Sequence, residues 1–85
     1  MSKAEKLKEK LLERPSKFKW DDLVKVMNEA GFTVKNAKRG SGRKFHNAKT
    51  GQVALWHEPH PGNEVLRYVV DEAIELLKEQ KVNER

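Results

Sequence analysis

FTVKNAKRGSGRKFHNAKTGQVALWH, residues 32–57, is the stretch that decides the fold. Two glycine-bearing turns cut it into three short pieces. Residues 32–38 end at Arg39-Gly40-Ser41-Gly42, residues 43–47 end at Ala48-Lys49-Thr50-Gly51, and residues 52–57 form the third and most apolar piece. Short runs containing Phe, Val, Thr and Trp, with turns this tight between them, read as three strands of an antiparallel meander. Phe45, Val53 and Leu55 are the expected inward residues. Both alternations can be drawn through the third strand, so the choice between Leu55 and Trp56 stays open.

On either side the period changes to helical. Upstream, Ala4, Leu7 and Leu11 recur at helix spacing among strong helix formers and predict a helix over residues 3–13, stopped by Pro15. Trp20, Leu23, Val24, Met27 and Ala30 mark one face of a second helix. Asp21 and Asp22 sit in its first turn, where the macrodipole favours negative charge, and Gly31 is placed to end it. Downstream, residues 58–63 carry two prolines and a glycine and exclude regular structure. A last helix follows, with Leu66, Val69, Val70, Ala73, Ile74 and Leu77 as its apolar stripe, Asn63 or a near neighbour as its cap, and Lys78 and Lys81 at its end. The order α-α-β-β-β-α predicts an α+β fold: a three-stranded antiparallel sheet with helices packed on one face, leaving the other face and the hairpin turns open. At 85 residues the chain can bury one core. We read one domain, with an N-terminal helix in residues 1–14, a linker in 15–19 and the core in 20–80.

Charge points to a partner class. Residues 33–57 hold six cations, Lys35, Lys38, Arg39, Arg43, Lys44 and Lys49, and no acid, while the other sixty residues hold twelve Lys or Arg against thirteen acids. The whole positive excess of +5 therefore belongs to this one segment, the footprint expected of a protein that meets a polyanion. With no cysteine, disulfides, thiolate metal sites and cysteine nucleophiles are excluded, and a reducing compartment fits. Residues 1–14 lack the apolar segment of a signal peptide, and no run of 18 apolar residues occurs. The expected location is the cytoplasm, with no membrane partner.

Three constellations could carry chemistry. Lys38-Arg39-Gly40-Ser41-Gly42-Arg43-Lys44 combines glycines that let a backbone come close to phosphate, a hydroxyl donor and four cations. It lacks the spacing of a nucleotide-binding P-loop. The three histidines, His46, His57 and His60, lie in or just after the sheet region. Histidine can take and return protons near neutral pH, and metal-independent RNA cleavage needs both: a 2′-hydroxyl loses a proton and the leaving oxygen gains one. His57 and His60 are the stronger pair and His46 the weaker candidate. A metal site built from His57, Glu58 and His60 would need further ligands, and Ser41 has no base at a diagnostic spacing, so neither is adopted. Trp56 suits either base stacking or the core.

The run Arg39-Gly40-Ser41-Gly42-Arg43-Lys44-Phe45, then Thr50-Gly51-Gln52-Val53, then His57-Glu58-Pro59-His60-Pro61-Gly62-Asn63-Glu64 before an apolar helix resembles the HicA toxins of type II toxin-antitoxin systems. It is most similar to a longer, HicA-like (YcfA-like) branch with a His-x-Pro-His-Pro segment. The resemblance covers about residues 6–77. It implies a fold like the double-stranded RNA-binding domain with an extra N-terminal helix, an mRNA interferase activity needing no metal or other cofactor, and a HicB-type antitoxin as partner. Under it, Lys38, Arg39, Ser41, Arg43, Lys44 and Lys49 hold RNA, and His57 or His60 moves the proton. One departure stands out: typical members carry a histidine directly after the Gly-Ser or Gly-Gly turn, where this chain has Gly42 or Arg43.

Overall fold

The computed structural model describes residues 3–36, 42–59 and 62–83. Helix α1 spans Lys3–Leu12, α2 Trp20–Glu29 and α3 Arg67–Asn83, and strands β1 Phe32–Asn36, β2 Gly42–Asn47 and β3 Val53–His57 lie between α2 and α3. The sheet is antiparallel in the order β1-β2-β3. An α+β fold with a three-stranded sheet and helices on one face is thus what the chain adopts.

The core forms between that helical layer and the inner sheet face. Leu11 of α1, Trp20, Leu23, Val26 and Met27 of α2, Phe32, Phe45, Ala54 and Trp56 of the sheet, and Val69, Val70, Ala73, Ile74 and Leu77 of α3 are all buried. Phe45 is its middle: Trp20 meets it edge-on at 5.5 Å and Trp56 at 4.8 Å between ring centroids. Trp56 is therefore a core residue. The segment before α2 is tied in as well, since Trp20 N–H donates to Asn63 C=O at 2.7 Å and Val65 N–H to Phe18 C=O at 2.8 Å.

The register corrects the expected inward face of β3. Phe45 lies opposite Ala54 and Arg43 opposite Trp56, so Ala54 and Trp56 point to the helices while Val53 and Leu55 point away, 47 % and 69 % exposed. The physical reason is Asn47. This side chain is buried, its Nδ2 donates to Ala30 C=O at 3.1 Å, and its Oδ1 accepts the N–H groups of Lys49 at 2.9 Å and Thr50 at 3.1 Å. With a polar anchor inside at 47, a strand's period of two puts 45 inside and 44 and 46 outside, and β3 follows through the hairpin. The helices differ from expectation in two details. Val26 lies deeper than Val24 and Ala30 in α2. Leu66 precedes α3 and is exposed, its carbonyl accepting the N–H of Val70, and Asn63 lies four residues before the helix start, its backbone carbonyl accepting the N–H of Trp20. Gly31 ends α2 with φ +100°, as glycine permits.

Candidate nucleic-acid interface

The outer sheet face is built by the residues that alternate with the core. Thr33 and Lys35 of β1, Gly42, Lys44 and His46 of β2, and Val53, Leu55 and His57 of β3 share it. Cross-strand pairing arranges them in rows: Thr33, His46 and Val53; then Lys35, Lys44 and Leu55; then Gly42 and His57. Two lysines and two histidines stand on this face, and none of the three strands contains an acid. Lys35 and Lys44 are direct partners, and like charges directly opposite one another destabilise a sheet. The face therefore holds an unbalanced positive field that a polyanion would neutralise. Lys35 was not among the contacts expected from the sequence. The alternation of Phe32 and Val34 with Thr33 and Lys35 is the signal that places it.

The two ends of the face differ. His57 lies opposite Gly42, and the non-bonded spacing of that pair brings their Cα atoms to about 4.5 Å. Lys44 is its diagonal neighbour, within about 7–8 Å. His46 is paired with Val53, four residues along β3 from His57, a separation of about 13 Å. His46 and His57 consequently do not meet at one phosphate. Lys49 is in the turn beyond the His46 end, its side chain exposed.

Arg43 occupies a different place. It is on the inner face beside Trp56, its Nη2 is 3.2 Å from Glu58 Oε1, its Nη1 donates to Gly42 C=O at 2.9 Å, and its side chain is only 21 % exposed. Its charge is directed at Glu58 and braces the end of β3 next to His57. Lys38, Arg39, Ser41 and His60 lie outside the described residues. Among the described residues no three His, Asp or Glu side chains gather where they could hold a metal ion, and no helix is long and apolar enough to cross a membrane.

Neither a curated protein nor a solved structure matches this chain. A family model does: residues 20–79, from the start of α2 through most of α3, match that of the HicA toxin of bacterial toxin-antitoxin systems. That match spans all three strands and both helices that sandwich them in sequence, and the chain belongs to the HicA toxin family.

Proposed function

We propose that this chain is an RNA-binding toxin that cleaves mRNA without a metal or other cofactor and is neutralised by a HicB-type antitoxin. One observation carries the reading. The outer sheet face joins directly opposed lysines, Lys35 and Lys44, to a histidine, His57, with no acid on any strand. The α2-β1-β2-β3-α3 order of the matched part supports a fold like the double-stranded RNA-binding domain, and the segment His57-Glu58-Pro59-His60-Pro61 supports the longer, His-x-Pro-His-Pro branch of the family. The extra helix α1 precedes it, and we assign the chain to one domain with its core in residues 20–80, in the cytoplasm.

In this mechanism Lys44, with Lys38, Arg39, Ser41 and Lys49, holds the RNA backbone, and Arg43 positions the end of β3. His57 takes the proton of a 2′-hydroxyl as that oxygen attacks the adjacent phosphorus. The bond to the 5′ oxygen breaks, and the leaving oxygen takes a proton from a general acid, the role we assign to His60. The histidine that typical members carry after the turn would fall at or next to Gly42, and Gly42 faces His57 across the ladder. His57 thus stands in the same place from the neighbouring strand. The second reading, a non-catalytic RNA- or antitoxin-binding module, is favoured by that same glycine.

An RNA cleavage assay in chelator separates the two. The wild type cuts RNA, and His60→Ala removes the cut while RNA is still bound. Intact RNA with the wild type, despite salt-sensitive binding, would select the non-catalytic module.

A further inference from the structure

We infer that the open edge of β3, together with the glutamate face of α3 beside it, takes an extended segment of a partner protein as a fourth strand, one in which basic and apolar residues alternate. The inference is independent of the RNA reading. It starts from hydrogen-bond phase. Asn47 N–H donates to Gln52 C=O at 2.9 Å, which makes 47 and 52 a bonded pair. Bonded and non-bonded pairs alternate in an antiparallel ladder, so Ala54 and Trp56 turn their amides toward β2 while Val53 and Leu55 turn theirs outward. β3 is an edge strand, and no described residue pairs with those outward groups.

Edges of this kind are normally blunted by charge, proline or a bulge. From Val53 to Trp56 the edge has none of these, and Leu55 is 69 % exposed. Beside it runs a groove of about 300 Å³ lined by Val53, Ala54, Leu55, Leu76 and three glutamates, Glu72, Glu75 and Glu79. The glutamates fall at helix spacing on the side of α3 that looks along the strand.

Those two flanks specify the occupant. Alternate side chains of an added strand would lie on the outer face next to Val53 and Leu55, where apolar residues fit. The others would point to the α3 side, where cations meet the glutamates. A polyanion is repelled there. A second copy fits poorly: pairing β3 with β3 opposes two glutamate rows, and β1, the other edge, carries its only cation, Lys35, on the outer face.

The test uses the full chain and a blocked seven-residue peptide alternating lysine with valine, read by amide hydrogen exchange. Bound peptide should slow exchange at Val53 and Leu55 by about tenfold or more. Reversing two charges, Glu75→Lys with Glu79→Lys, should weaken binding by about tenfold. A peptide methylated on the amides that face β3 should not bind. Unchanged exchange at Val53 and Leu55 under saturating peptide overturns the proposal. So does equal binding of the methylated peptide, of a glutamate-valine peptide or to the reversed protein. Protection of the two amides by an RNA oligonucleotide, or by raising protein concentration alone, assigns the edge to another occupant and overturns it as well.

Discussion

At the scale of single residues, Asn47 and His57 have opposite characters: one is a polar group fully inside, the other a chemical group at the rim. Asn47 satisfies two backbone donors and one acceptor at once, so Asn47→Ala takes the partner from the N–H groups of Lys49 and Thr50 and leaves Ala30 C=O with Gln80 Nε2 alone. The expected loss is about 2–3 kcal/mol in urea unfolding. Gly31 stands against it: a Cβ there would come within 3.0 Å of Asn47 Nδ2 in a backbone with φ +100°. Gly31→Ala should therefore cost about 1–3 kcal/mol, and more than an alanine placed at Gly51, where φ is +78° but nothing lies within 4 Å. For catalysis the split between histidines is decisive. His57→Ala should lower RNA cleavage by about 10²-fold or more, while His46→Ala, at the far end of the face, should leave the rate within a few-fold. A rate within a few-fold of wild type in His57→Ala would remove His57 from the mechanism.

Among the elements, α1 lies outside the residues that match the family, yet it completes the core. Leu11 is fully buried, and Leu11→Ala should destabilise the chain by about 2–4 kcal/mol. The contact that follows α1 is a different matter: Arg14 forms a two-pronged pair with Asp71, Nε to Oδ1 at 2.7 Å and Nη2 to Oδ2 at 3.1 Å, with both side chains about half exposed. Asp71→Ala should cost under about 1 kcal/mol. A single denaturation series with both variants checks the contrast. Strand number and turn positions were legible because glycines punctuate residues 32–57, and the helices because their apolar spacing is regular. The facing of β3 was not legible. It is set by burial of an asparagine whose partners come from α2's end and from the turn, contacts that no local pattern announces. For the same reason Val53 and Leu55 read as core from their hydrophobicity alone, and the contact of Arg43 with Glu58 was not announced by any local pattern.

The molecule as a whole separates its charge. Cations dominate the outer sheet face, and Glu72, Glu75 and Glu79 line the groove between β3 and α3. At physiological ionic strength the screening length is about 8 Å, so a ligand at either place feels chiefly its own side. Salt should then act with opposite signs. Raising it relieves the Lys35–Lys44 repulsion and stabilises the free chain by a few tenths to about 1 kcal/mol. RNA affinity falls over the same range, and Lys44→Ala should reduce the slope of log K against log salt by about 1. Thermal unfolding and a salt titration of RNA binding measure the two. The contact between Trp56 and Glu72 has an optical consequence. Trp56 Nε1 donates to Glu72 Oε1 at 2.9 Å, and that carboxylate also lines the groove. A cation that draws Glu72 away changes the electric field on a buried indole, so the chain's own emission spectrum is a gauge of what occupies the groove.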